Sequence, residues 1–175
     1  VQYYGDKYME KVLEIKNPYK FIIFGVLCLL GPTLGMVFGG IFSSKLGGYV
    51  KRSSMTFVII ATLISAVISC TIALTDNKYL FVATTLTYLF AIGASVPPES
   101  GIIISGLDNR LRGDGFSFCN FILNLVGNFP SSYVFSLLLV WFNDKGEKEQ
   151  YMWAWRVVMI YNFTGLFFIL LGGIF

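Results

Sequence analysis

Five apolar runs, each long enough to cross a bilayer as a helix, constrain this chain more than any other feature. A spanning helix takes about 20 mainly apolar residues. The runs are Phe21 to Phe42, Met55 to Leu74, Tyr79 to about Gly106, Gly115 to Phe142 and Val157 to Phe175. The third contains one charge, Glu99, and the second contains none. The connections between runs are short, so successive helices must run antiparallel. The sequence therefore predicts an all-α membrane protein with five transmembrane helices in an up-down array.

Composition agrees. Charged residues make up 13% of the chain and the mean hydropathy is +0.69, whereas soluble domains run near a quarter charged. Histidine is absent, which removes the commonest catalytic base and metal ligand. The formal charge of +3 is spread along the chain, so it offers no nucleic-acid patch. Cys28, Cys70 and Cys119 lie inside apolar runs without metal-ligand spacing or a disulfide pattern. No catalytic constellation, metal set or cofactor motif is present. Asn162-Phe163-Thr164 matches a glycosylation acceptor but falls inside the fifth run, so it carries no role. The chain begins at Val1 and ends at Phe175 within an apolar run, which reads as a piece of a longer protein.

Residues 1–17 differ. Tyr4, Tyr8, Val12 and Ile15 recur at helical spacing among charged residues, ahead of a break at Asn17-Pro18. This is either a solvated interfacial helix or the end of a preceding membrane helix.

The runs also differ in what they suit. The second lacks glycine and proline, and the fifth carries the block Leu166 to Leu171; both suit a lipid-facing position. In the first, Gly31, Gly35 and Gly39 stand one turn apart beside Pro32 and Gly40. Such a stripe lets another helix backbone come close, as membrane helices do where water cannot drive association. The third run is expected to break at Pro97-Pro98, since two prolines remove two backbone donors and crowd the preceding turn. Glu99 follows directly, and a charge at membrane depth costs about 3 kcal/mol on insertion scales. It is a proton or cation relay, a contact to a cationic substrate group, a partner for a basic residue elsewhere, or an interfacial charge. In the fourth run Asn120, Asn124 and Asn128 project from one face, extended by Ser117 and Ser131 and thinned by Gly127, before a second break at Pro130. That stripe either glues helices by hydrogen bonds or lines a hydrated path.

Charge alone does not orient the array. Lys45, Lys51, Arg52, Arg110 and Arg112 lie on one side; Lys78, Lys145, Lys148, Arg156 and the N-terminal lysines lie on the other.

Two stretches resemble the major facilitator superfamily. Gly39 to Arg52 is similar to the signature that joins two helices on the cytoplasmic side, roughly G-x-x-x-D-R-x-G-R-R. Gly40, Lys45 and Gly47 fit it, while Ser44 replaces the acid and Gly48 an arginine. Lys51 and Arg52 close the loop, and such degradation is usual in the second copy of the motif. Val96 to Ser105, then Leu111-Arg112-Gly113 and the residues from Ser117 to Tyr133, resemble helices ten and eleven of the spinster-like and organic-anion-transporter-like branches, protist type. The resemblance implies that residues 1–17 end helix seven and that residues 18–175 form helices eight to twelve of twelve. It implies that helices nine and twelve are peripheral and that loops Ser43–Ser54 and Leu107–Asp114 are cytoplasmic. It further implies transport of a small organic solute, such as a lipid or organic anion, by alternating access. An N-terminal half of the same protein, membrane lipid and a coupling proton or sodium ion would be the partners. Glu99, Asn120, Asn124, Asn128 and Ser117 would then be path or coupling candidates. Gly31, Gly35, Gly39, Pro97, Pro98, Gly127 and Pro130 would serve packing or gating, and Gly40, Lys45, Gly47, Lys51, Arg52 and Arg112 the cytoplasmic motif. A non-transporting multi-pass protein is the alternative; an intramembrane enzyme lacks support, with no histidine and no nucleophile motif.

Overall fold

The apolar runs fold as helices because a backbone in lipid must satisfy its own hydrogen bonds. The computed structural model describes residues 4–15, 18–49, 51–75, 77–144 and 146–174, with the side chains of residues 6, 126–128, 131–132 and 162–174 outside that description. The elements are α1 (Gly5–Lys11), α2 (Tyr19–Lys45), α3 (Arg52–Leu74), α4 (Lys78–Ser105), α5 (Arg112–Ile122), a π-helical stretch (Leu123–Asn128), α6 (Phe129–Trp141) and α7 (Glu147–Ile174). Three helices, α2, α3 and α4, are long and apolar enough to cross a membrane among the described residues. The fourth run is helical but divided, and most of the fifth run's side chains, with the Leu166–Leu171 block and the acceptor motif, lie outside the described set.

α4 is the centre of the array, packed on α2 along one side and α3 along the other. Contacts advance together along α2 and α4, from Gly31 against Leu89 to Gly39 against Ala94, so those two helices are parallel. α3 runs back between them in sequence and packs antiparallel to α7: Ser69 Oγ donates to the Met159 carbonyl at 3.2 Å, and Arg156 Nε to the Ala73 carbonyl at 3.1 Å.

The second run keeps an exposed apolar face, as expected, but is also packed on two sides. α3 lies between α4 and α7 and buries Val58, Ala61, Ser65, Ala66, Ser69, Ile72 and Ala73. These small residues form a seam spaced by three and four positions, so two neighbours come close on one face. Ile60, Leu63, Ile64 and Val67 cover the exposed face. α2, by contrast, touches α4 through one line of residues, Leu27, Gly31, Gly35 and Gly39.

α1 is not a solvated helix. Tyr8 and Met9 are 1% and 0% exposed, and Val12 and Leu13 are buried beside them. Tyr8 stacks on Trp155 at 4.8 Å and on Phe81 at 5.2 Å between ring centroids; Tyr4 stacks on Phe135 at 4.0 Å. One end of the bundle is thus closed by aromatic rings from α1, α4, α6 and α7, a packing mode worth ~1 kcal/mol per pair beyond burial. The helix ends at Lys11, ahead of the expected break, and Glu14 takes a left-handed φ of 54° in the segment that follows. Lys16 and Asn17 lie outside the described residues.

Candidate functional site

The glycine line makes the tightest helix contact. A β-carbon on Gly31 would lie 2.8 Å from the Leu89 Cβ, and one on Gly35 2.9 Å from the Ala94 backbone nitrogen. At Gly39 it would run into the Ala94 carbonyl. Gly93 of α4 answers from the other side, with its missing β-carbon 2.8 Å from the Pro32 Cα. Gly40 is different: nothing lies within 4 Å of its β position, so it takes no part in the seam.

The expected break at Pro97-Pro98 is absent. α4 runs unbroken from Lys78 to Ser105 with both prolines inside it. Pro98 removes the donor that the Ala94 carbonyl would normally receive, and it is against this carbonyl that Gly39 packs. Neighbouring helices can compensate such freed groups at membrane depth, and Gly39 brings the α2 backbone against this one. The prolines therefore sit where the helix is braced.

Glu99 lies one residue beyond Pro98 and is half-buried. It stands six residues before the end of a 28-residue helix. At 1.5 Å per residue α4 is about 42 Å long, so if it is centred on a ~30 Å hydrocarbon core Glu99 lies only a few ångströms inside the boundary. Among the described residues no ion pair includes Glu99. Nearby, the ring of Tyr49 lies over Gly101, where a β-carbon would be 2.5 Å from the Tyr49 Cδ1. The loop between α2 and α3 is thereby laid on the last turns of α4.

That loop is the signature-like stretch. Gly47 and Gly48 have φ of 96° and 88°, the left-handed region that disfavours a side chain. At position 48 the turn thus favours glycine over any residue with a side chain, although nothing lies within 4 Å of its β position. Ser53 Oγ donates to the Leu46 carbonyl at 3.1 Å and Ser54 Oγ to the Gly48 carbonyl at 2.7 Å, fixing the turn to the start of α3. The sequence pattern pointed to neither serine; both sit in the first turn after a basic loop, where hydroxyls commonly cap backbone. Lys45, Lys51 and Arg52 are exposed without carboxylate partners among the described residues. Arg112 opens α5, and its Nε donates to the Leu107 carbonyl at 3.4 Å.

The second expected break takes the form of a π-helical stretch. Phe129 N–H bonds to the Asn124 carbonyl, five residues back. Pro130 supplies no N–H to the Val126 carbonyl, so an α register cannot be completed there, and the wider turn absorbs the mismatch. Ser117, Asn120 and Asn124 are all exposed, and α5 buries no residue. The Asn124 amide donates to the Asn120 carbonyl at 2.8 Å. The side chains of Gly127's neighbours, Val126 and Asn128, and that of Ser131 lie outside the described set. Glu99 and the asparagines therefore stand on separate elements, and no described hydrogen bond or ion pair joins them.

The opposite end of the bundle carries a different chemistry. Lys11 pairs with Glu147 at 2.7 Å, Lys148 with Glu14 at 2.9 Å and the buried Lys20 with Glu10. The Lys20 ammonium, bonded to Glu10, holds that carboxyl below its ordinary value, and Lys148 does the same to Glu14. Glu147 raises Lys11. These pairs tie α1 and the segment after it to the first turn of α7 and to the start of α2.

The helices and their apolar exposure define an all-helical, multi-pass membrane protein. The chain matches no model of a known protein family, no curated protein and no solved structure.

Proposed function

We propose that the chain is the C-terminal part of a major facilitator-type secondary transporter, contributing five spans equivalent to helices eight to twelve, with α1 ending helix seven. It moves a small organic solute, a lipid or organic anion being the leading classes, by rocking two halves around a midplane site. The observation that carries this reading is the uneven finish of the bundle. α3 is packed on two sides, whereas α2 meets α4 along a single line and α5 buries nothing, although α5 presents Ser117, Asn120 and Asn124. Polar faces within a membrane need a partner or a watery cavity, and an N-terminal half would supply both. The resemblance of Gly39–Arg52 and Val96–Tyr133 to the family points the same way. Under this reading the Lys45–Arg52 and Arg110–Arg112 loops are cytoplasmic. The three ion pairs among the described residues lie at the other end of the bundle, which leaves these loop cations unneutralised by described carboxylates.

Glu99 is the coupling candidate, working with a proton or sodium ion. Replacing it, Glu99→Gln, in the full-length protein should abolish pH-dependent uptake into proteoliposomes while folding is retained. Unchanged coupling removes Glu99 from the relay. A second reading, a non-transporting multi-pass protein, is favoured by one observation: Ser44 replaces the acid of the signature, and the loop's cations have no described partner to exchange. Uptake no greater than in protein-free liposomes would favour it.

A further inference from the structure

α2 and α4 meet along the line Leu27, Gly31, Gly35 and Gly39, and the side chains that flank the N-terminal half of this line leave a groove open. This wedge is a cleft of about 490 Å³, within the range of small-ligand sites. One wall is the ridge Ile22, Val26, Leu30 and Leu34, spaced by four on α2; the other is formed mainly by Leu86 and Phe90 of α4. Thr87 carries the only hydroxyl in the lining, and it donates to its own helix at the Ala83 carbonyl, 2.9 Å away. The wedge therefore offers no polar group to an occupant. From Ile22 to Leu34 it extends about 18 Å along α2, over half the thickness of a hydrocarbon core.

A second cleft, of about 330 Å³, adjoins the wedge and shares Ile23 and Val82 with it. Its chemistry is different. Tyr19, Tyr79 and Lys78 line it together with Glu14. The Glu14 carboxylate is already paired with Lys148, whereas Lys78 has no carboxylate partner among the described residues and lies over the Tyr79 ring at 5.3 Å. Lys78 also begins α4, where the positive end of a long helix favours an anion. Tyr19 and Tyr79 are 68% and 75% exposed, and tyrosines of this kind sit at headgroup level.

A dry apolar wedge that runs into a cationic, tyrosine-flanked mouth is the shape of an amphiphile with an anionic head. We propose that this cleft holds one anionic glycerophospholipid of the bilayer, with an acyl chain along the α2–α4 wedge and its phosphate at Lys78. The lipid fills the groove beside the α2–α4 seam and links the start of α2 to the start of α4. The site does not rest on transport, since a non-transporting protein would hold the same lipid, and the uptake assay above does not read it.

The test uses the full-length protein reconstituted in phosphatidylcholine vesicles that contain phosphatidylglycerol with a photoreactive acyl chain. After irradiation, labelled positions are mapped by mass spectrometry. Labelling concentrated on residues 22–34 and 82–90 is expected. Lys78→Glu should lower phosphatidylglycerol labelling there by about fivefold, the effect of one basic residue at a membrane surface. A phosphatidylcholine probe with the same chain should be far less affected by that variant. Leu86→Trp, which fills the wedge, should remove labelling by both probes. Labelling spread evenly over the exposed faces of α2 and α3 would overturn the proposal, leaving only the lipid annulus. Unchanged phosphatidylglycerol labelling in Lys78→Glu would overturn it too. The map itself is made on unaltered protein, so a variant that fails to fold does not blunt the test.

Discussion

The α2–α4 seam gives the sharpest prediction because its clashes are with backbone. A β-carbon at Gly31 would sit 2.8 Å from the Leu89 Cβ, against an ordinary contact of 3.4 Å or more. Relief there needs a shift of about 0.6 Å, which a packed interior resists. At Gly35 and Gly39 the obstacles are the Phe90 and Ala94 carbonyls, and no rotamer change can move them aside. Gly39→Ala should therefore cost about 1–3 kcal/mol, the usual range for overpacking. The double variant Gly35→Ala/Gly39→Ala should cost less than the sum of the two, because one helix displacement relieves both contacts. Gly25→Ala and Gly40→Ala have open space at the β position and remove a poor helix former, so they should be neutral or slightly stabilising. Equilibrium unfolding of the full-length protein in mixed micelles, followed by far-ultraviolet circular dichroism, reads these four variants and the single Gly35→Ala. If Gly39→Ala unfolds with wild type while Gly40→Ala is destabilised, the face assignment of α2 is wrong.

Other outcomes follow from single sites. Gly48→Arg, which places a side chain at a φ of 88°, should destabilise by ~1–2 kcal/mol through left-handed strain, seen in the same unfolding assay. Trp155→Ala removes a side chain 1% exposed and stacked on Tyr8; a loss of about 3–5 kcal/mol is expected, with loss of the near-ultraviolet aromatic signal. Glu10 and Glu14 have lowered pKa values in the folded state, caused first by Lys20 and Lys148. Their contribution is complete above the ordinary carboxylate value near 4.3 and fades as pH falls through the lower folded value. Protease cleavage within residues 12–18 should therefore increase only in that acid window, and Glu14→Gln with Glu10→Gln should make it independent of pH there.

Helix existence was legible because length and charge set it: a run such as Met55 to Leu74, with no charge, has no other stable form in lipid. The stripe Gly31, Gly35, Gly39 was legible for the same local reason, since four-residue spacing fixes a face whatever the partner. What the partner would be was not legible. α3 lacks glycine and so resembled a lipid-facing helix, yet Ala61, Ser65, Ala66 and Ser69 are small enough to form a seam. Small size, not glycine alone, was the missing signal. The burial of α1 was hidden because Met9 and Leu13 flank the Tyr8–Val12 stripe, and a charged segment hid an apolar face wide enough to enter the aromatic cluster.

Pro97 and Pro98 show why a local rule fails when its remedy is distant in sequence. A proline pair breaks a helix when the carbonyls it strips of donors are left to lipid. Here the stripped Ala94 carbonyl faces Gly39, more than fifty positions earlier in the chain, and Gly93 faces the backbone of Pro32, itself a helix-interior proline. Each helix thus presents a glycine beside the proline-disturbed turn of the other. Close approach is permitted by glycine and made useful by proline, so the two features that sequence patterning treats separately, a packing groove and a break, form one joint. Restoring the donor with Pro98→Ala should then stabilise α4 on its own but weaken its dependence on α2: the cost of Gly39→Ala should be smaller in the Pro98→Ala background than in wild type. Equal costs in both backgrounds would show that the glycine seam and the proline pair act independently.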